Sequence, residues 1–453
     1  MIQATTKPAA PQAAPDQEWP NPAYAWYVVG VLCLGYVFAF VDRIIVGLLT
    51  PAIQADLHIS DTQAGLLQGI AFALFYTIFG LPVGLMADRW NRKALLSFGM
   101  TVWSVMTAAC GLASSFWILF ASRIGVGIGE ATLNPCAASM IGDYFPPKTR
   151  PKAFGVYVMG TALGSAITYL AGGLVIGALQ RYPTISVPFV GDLKPWQLTF
   201  MIVGLPGLIP ALLFVLTVKE PKRLDLAAAN KGRASWVETR AFLRLNRTTF
   251  FCQFVGVALL LMSIYGFINW MPSYFLRIHG WSPAVFSVRY GIGGGIAGVV
   301  SAFASGWVAA RLKQRGYRDG TLRACAIGCF GAALGAAIAP LLPTPELALG
   351  LYILTGVFLN FPSVLSLSAI AEVTPNEMRA LVTSIYILLT GLVSSGLGPI
   401  AVGFVTDSVF HDKQAIGLSL ALVTATTGFL GSGLVFYGLK AYRESLSRVT
   451  WSR

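Results

Sequence analysis

Twelve times along this chain an apolar run of about 20 residues recurs, the length an α-helix needs to cross a hydrocarbon layer of about 30 Å. The runs fall at 24–49, 62–87, 94–114, 116–142, 153–179, 197–218, 249–276, 284–310, 322–342, 346–371, 380–405 and 414–440, and are numbered below as spans 1 to 12. Composition agrees, with 55% hydrophobic and 11% charged residues where a soluble domain carries about 25% charged. The expectation is an all-α, multi-pass integral membrane protein.

The formal net charge of +13 does not mark a nucleic-acid binder, because most Lys and Arg sit in short connections instead of on a soluble face. They gather after the even-numbered spans: Arg89, Arg92 and Lys93; Lys148, Arg150 and Lys152; Lys219 to Arg247; Arg311 to Arg323; and Arg379. The other side holds Arg181, Lys194, Arg277 and Lys413, with Arg289 just inside span 8. The positive-inside rule therefore puts both termini in the cytoplasm, and the expected location is a bacterial inner membrane. The opening "MIQATTKPAAPQAAPDQEWP" has neither a basic n-region nor a cleavage site, so residues 1–22 read as a disordered cytoplasmic tail, not a signal peptide.

The longest break, "KEPKRLDLAAANKGRASWVETRAFLRLNRT", divides the chain into halves at 23–218 and 249–442. It reads as a cytoplasmic linker over 219–248, in which "SWVETRAFLRL" is expected to lie on the membrane surface as an amphipathic helix. Residues 443–453 form a second tail. The connection "RYPTISVPFVGDLKPWQ", rich in β-branched and proline residues, predicts an ordered loop or hairpin on the far side. The halves echo one another: "GLMADRWNRK" after span 2 matches "GWVAARLKQR" after span 8, and "KAFGVYVMG" opening span 5 matches "RALVTSIYI" opening span 11. Such repeats build many carriers, with the substrate site between them near the membrane midplane.

Several chemistries find no support. The six cysteines all fall inside apolar runs, without C-x-x-C spacing, and the three histidines stand alone in connections. "GGGIAG" at 293–298 formally matches a dinucleotide fingerprint but lacks the strand that must precede one. With no phosphate-binding loop and no constellation of nucleophile or metal ligands, neither nucleotide, metal nor other cofactor is expected, and neither is an enzyme.

Gly84, Asp88, Arg89, Arg92 and Lys93 in "GLMADRWNRK" closely resemble the loop after the second helix of the major facilitator superfamily, and the copy after span 8 keeps the Gly and, as Arg311, the first Arg. The resemblance implies twelve transmembrane helices in two six-helix, pseudo-symmetric bundles around a central cavity, and a cytoplasmic gate at these residues that locks when the carrier faces outward. Ala310 replaces the Asp in the second copy, so a symmetrical lock is not expected. "FVDRIIVGLLTPAIQADLHISDTQAGLL" and "RIGVGIGEATLNPCAASMIGDYFPPKTR" further resemble the spinster group of lysolipid and sphingolipid-phosphate carriers. That likeness implies a monomeric carrier of a lipid-like anion, such as a lysophospholipid or sphingosine phosphate. A carrier of a small organic anion or drug-like compound is the other reading.

Asp42, Arg43, Arg123 and Glu130 are the ionisable residues deep in these spans. Each costs roughly 2.5–3.5 kcal/mol to insert at mid-membrane, so each should face a partner or a wet cavity. Asp42 and Arg43, about 100° apart on one helix, cannot satisfy one another. Two arrangements are open: Asp42 near Arg123 with Arg43 reaching Glu130, or Arg43 bound to Glu130 with Arg123 left for an anionic substrate. Either could couple proton uptake to transport, since a carboxylate that loses its cation in an apolar site favours its protonated form. A static network joining two helices is the plainer alternative. Apolar and amide-bearing stretches add Tyr76, Tyr265, Asn269, Trp270 and Asn360, beside Arg43, Arg123 and Glu130, as cavity candidates.

Overall fold

The computed structural model describes residues 19–188, 190–223 and 236–448. The expected tail at 1–18, the linker stretch 224–235 and residues 449–453 lie outside the described residues, as does the side chain of Asn360. Among the described residues, twelve helices are long and apolar enough to cross a membrane: Pro22–Leu57, Asp61–Arg89, Arg92–Cys110, Phe116–Tyr144, Arg150–Leu179, Pro195–Thr217, Arg247–His279, Pro283–Gln314, Gly320–Leu341, Pro345–Val373, Asn376–Phe410 and Lys413–Arg448. They form two six-helix bundles around a central cavity.

The helices outrun the apolar stretches because polar turns extend them and caps end them. Span 1 begins at Pro22, capped by Asn21, and runs through Pro51 to Leu57 instead of stopping near 49. Ser60 opens span 2 with a capping box to Gln63. Span 12 stays helical to Arg448, so 443–448 is not a loose tail, and Arg247 already belongs to span 7. The linker does contain a helix, Trp236–Leu245, whose Phe242 packs on Phe250 at the start of span 7. The connection after span 5 is a hairpin, with β1 (Ile185–Val187) antiparallel to β2 (Gly191–Leu193).

Spans 4, 5 and 11 are among those that break or widen where they meet the cavity or the opposite bundle. Pro135 offers no amide, and the helix of span 4 is interrupted between Glu130 and Leu133. Span 5 widens to a π-helix at Thr168–Gly172, and span 11 does so at Leu392–Leu397. Such segments leave backbone groups less regularly paired and recur at functional sites.

On the side away from the termini the bundles are closed. Span 2 presses against span 11 at Gly65, where a Cβ would sit 2.7 Å from the carbonyl oxygen of Pro399, so only glycine permits this approach. Arg277 at the end of span 7 donates from Nη1 and Nη2 to the two oxygens of Asp61, each at 2.7 Å, and from Nη2 to Gln54 at 2.8 Å. Asp407 of span 11 accepts from the amide of Thr62 at 2.6 Å and its hydroxyl at 2.7 Å. Beside this lock, Tyr169 of span 5 meets Tyr290 of span 8 edge-on at 4.7 Å.

On the termini side each bundle is stitched to itself. Arg92, 1% exposed, pairs with Asp143 at the end of span 4 and with Glu220 after span 6, and donates to Ser139. In the second half Glu372 accepts from Lys313, Thr321 and Tyr442. Burial pushes the Asp319 carboxyl up, but hydrogen bonds from Arg323 and Arg443 outweigh it and hold the group below the usual carboxylate range.

Two outcomes test these contacts. Arg277→Gln leaves the fully buried Asp61 without its cation, a loss worth up to roughly 3 kcal/mol. Pulsed-EPR distances between spin labels at His58 and Asp412 should then gain a longer, far-side-open population, and an unchanged distribution would place the closure elsewhere. Arg92→Lys should lower the thermal midpoint in detergent nearly as much as Arg92→Gln, because an ammonium cannot reproduce guanidinium contacts to several partners at once. A midpoint restored by lysine would show that charge alone suffices there.

Candidate functional site

Between the bundles lies a cavity of about 470 Å³ whose lining runs from Gly47, Leu48 and Gln68 at the closed end to Gly80, Leu81 and Ile387 toward the termini side. Its charge is one-sided. The first half contributes Arg43 and Arg123, while the second contributes Tyr265, Ile268, Asn269 and Pro272 from span 7 with Ser384, Ile387, Leu388 and Ser394 from span 11.

Arg43 projects from span 1 toward span 4, where its Nε and Nη2 both lie 2.7 Å from one oxygen of Glu130. Glu130 is fully buried, at the last regular turn before the break, and its second oxygen has no hydrogen-bond partner among the described residues. Glu130 therefore backs the cavity through Arg43 and does not line it, a correction to its sequence assignment. The guanidinium itself stands 4.8 Å from the ring of Phe72, 4.9 Å from Tyr76 and 5.3 Å from Phe40. These rings are the cation's second source of stabilisation where water is scarce. Span 2 brings two of them close because Gly127 of span 4 carries no side chain; a Cβ there would lie 2.6 Å from the Phe72 carbonyl oxygen.

Asp42 turns away from Arg43, as its helical offset requires. One carboxylate oxygen accepts from Thr107 of span 3 at 3.0 Å, and the other has no hydrogen-bond partner among the described residues. Arg123 reaches the backbone carbonyl of Asp42 at 3.4 Å, not its carboxylate, while its Nε is left unpartnered among the described residues. Arg123 thus lies near Asp42, as one of the two arrangements expects, but meets it through the backbone, because Thr107 of span 3 claims the carboxylate. The arrangement is the second of the two: Arg43 on Glu130, and Arg123 lining the cavity without a carboxylate partner among the described residues.

Tyr76, Tyr265 and Asn269 all line the cavity, and Trp270 does not. Trp270 is fully buried and donates to the carbonyl of Pro399 at 2.8 Å, since its position next to Asn269 rotates it about 100° toward span 11. Asn360 lies in span 10, and its side chain is outside the described residues. Two residues that the sequence analysis missed belong here. Asn134 donates to Tyr76 at 2.8 Å and accepts from Tyr157 at 2.7 Å, and Tyr157 stacks on Tyr36 at 4.7 Å. Gln68 donates to Thr50 at 2.7 Å while its oxygen stays unpartnered among the described residues. An amide inside an apolar run, next to Pro135 in the case of Asn134, was the available signal.

The gate residues lie on the open side. A Cβ at Gly84 would meet nothing within 4 Å, so the close approach expected of it is not made in this conformation. The backbone carbonyl of Asp88 accepts from Arg223, the amide of Lys93 donates to Glu220, and Arg89 and Arg311 are exposed at helix ends. Arg92, expected in the same gate, is buried in the first bundle's own network with Asp143 and Glu220.

The family model described as Major Facilitator Superfamily matches residues 32–399. An MFS-type efflux pump of Mycolicibacterium smegmatis is 27% identical over 446 residues, covering 97% of this chain and 99% of that protein. A hexuronate transporter of Bacillus subtilis is 30% identical over 388 residues, covering 84% and 87%. A sphingosine-1-phosphate transporter of Danio rerio is 30% identical over 254 residues, covering 55% of this chain and 47% of that protein. Among solved structures, a bacterial homologue of the human lysosomal transporter Spinster, inward-facing and unoccupied, superposes with a TM-score of 0.76 at 26% identity, covering 94% and 98%. With its twelve helices and central cavity, this chain belongs to the major facilitator superfamily of transporters and resembles the spinster group within it.

Proposed function

We propose that the protein is a secondary carrier that moves an amphipathic anion of the lysophospholipid or sphingosine-phosphate kind by alternating access, without chemical change to its cargo. The polarity of the cavity carries this reading. Arg43 and Arg123 offer an anionic headgroup its cations on one wall, and the opposite wall, without acidic or basic side chains among its described residues, offers an acyl chain Ile268, Pro272, Ile387 and Leu388 among uncharged polar groups. The likeness to a sphingosine-1-phosphate transporter supports the same cargo class.

A small organic anion or drug-like compound is the second reading, favoured by similarity over nearly full length to an efflux pump and a hexuronate transporter. Under it the arginines keep their role and the apolar wall loses its purpose.

In the carrier cycle the far-side lock of Asp61 with Arg277 opens as the termini side closes around Gly84, Asp88 and Arg89. A headgroup competing for Arg43 releases Glu130, which takes up a proton; Asp42, with one oxygen unpartnered among the described residues, is the other acceptor. The clustered Lys and Arg support a cytoplasmic placement of the termini, in keeping with a bacterial inner membrane. A cavity enclosed by one chain's two bundles supports a monomer as the working unit.

Competition in proteoliposome counterflow separates the cargo classes. Lysophospholipid and sphingosine phosphate should compete at concentrations at least about tenfold below those of a hydrophilic organic phosphate or a hexuronate, a difference of about 1.4 kcal/mol. The reverse order would establish the small-anion reading. For coupling, Asp42→Asn and Glu130→Gln are compared across external pH. At least one should lose about tenfold in proton-driven uptake and flatten its pH profile while retaining counterflow. Wild-type activity and pH dependence in both would sink the coupling assignment.

A further inference from the structure

A second concavity, of about 320 Å³, lies outside the bundles between the termini-side ends of spans 7 and 12. It shares no residue with the central cavity. Its floor is tightly packed: Gly438 brings span 12 so near Cys252 that a Cβ would lie 2.7 Å from that residue's own. Over this floor the large rings of Phe251 and Tyr437 stand exposed on either flank, with Leu434 between them and Arg247 and Thr248 at the rim.

The depth of the groove is set by its neighbours. Thr249 and Ser445 bond at 2.8 Å, and Arg448 donates to the carbonyl of Leu245 at 3.1 Å, which marks the ends of both spans. Phe251 and Tyr437 therefore stand at the edge of the hydrocarbon layer, and Arg247 at headgroup level. The linker helix Trp236–Leu245 reaches this end of the bundle at Leu245, the carbonyl that Arg448 meets, while Phe242 seats it on Phe250 and Trp236, Val237 and Leu245 stand exposed. Lys440 lies one turn beyond Tyr437 on the same face of span 12. Arg247 in the groove, with Lys440 and Arg448 on span 12, brings three basic residues to these two helix ends beside the acidic Glu444, while Arg443 is paired with Asp319.

We propose that this groove is a binding site for an anionic phospholipid of the termini-side leaflet. One acyl chain lies between Phe251 and Tyr437, and the headgroup phosphate is held by Arg247 and Lys440. Only an occupant apolar at one end and negative at the other matches both parts of the site, and basic pockets between helix ends on this side of a membrane suit such headgroups. The site is separate from the cargo path and stands whatever the carrier transports.

Native mass spectrometry of the purified full chain, titrated with phosphatidylglycerol and phosphatidylethanolamine of identical acyl chains, tests it. The wild type should retain phosphatidylglycerol with a preference of about fivefold, as expected from one basic residue's attraction to an anionic surface. Arg247→Gln should erase most of that preference, and Leu434→Trp, filling the groove, should reduce retention of both lipids. Thermal midpoints within error of wild type would exclude unfolding as the cause. No headgroup preference in the wild type, or wild-type retention in both folded variants, overturns the proposal. So does a lipid-resistant dimer abolished by Leu434→Trp, which would put a second copy of the chain in the groove.

Discussion

Inside a hydrocarbon layer a charged group has no water to turn to, and the organisation of this protein follows from how it partners the few it buries. Asp42, Arg43, Arg123 and Glu130 sum to zero, but they do not neutralise one another as two tidy pairs. Arg43 and Glu130 form the direct ion pair, supported by three aromatic rings around the guanidinium. Asp42 is left with a hydroxyl and Arg123 with a backbone carbonyl, each keeping an unpartnered polar atom among the described residues. A site so incompletely satisfied is held by the surrounding packing, and it gains from any ligand or proton that completes it. That is the physical sense in which the cluster suits a carrier better than a static brace.

The same economy of partners governs the two ends of the cavity. On the far side the contacts cross between bundles: Arg277 to Asp61 and Gln54, Thr62 to Asp407, and glycine-mediated backbone contact of span 2 with span 11. On the termini side the strong contacts stay within a bundle, through Arg92 in one half and Glu372 in the other. Each half is thus tied together within itself on the termini side, while the polar contacts described between the halves lie on the far side. The broken helices of spans 4, 5 and 11 lie along the surfaces between the halves.

Much of the architecture was legible without coordinates, because lipid imposes a coarse code. A helix must be about 20 residues long to cross, and the other structure that satisfies the backbone there, a closed β-barrel, is built from strands of about 10 residues, so twelve apolar runs of about 20 implied twelve helical spans. The hairpin after span 5 and the linker helix were equally readable, from β-branched residues in one case and amphipathic spacing in the other. What went astray did so for local reasons. Apolar counting stopped span 1 at 49, although caps and polar turns carry it to Leu57. Arg92 was grouped with a gate by its motif, whereas acidic residues at 143 and 220, distant in the chain, claim it for the first bundle.

The site divides in the same way. Four ionisable residues in apolar runs announced themselves by their cost, and the refusal of Asp42 and Arg43 to pair followed from helical geometry alone. The sequence could not say which of two neighbours, Asn269 or Trp270, faces the cavity, nor that Thr107 would take the Asp42 carboxylate. Nor did it reveal Asn134 between two tyrosines, or Asp61 as the partner of Arg277 from 216 residues away. By itself the sequence determined the spans, their alternation across the membrane and the charges that need partners, because these depend on local composition and the price of leaving water. Only the tertiary structure decided which partner each charge finds, because that depends on how helices rotate and press together at glycines, and no local pattern encodes that rotation.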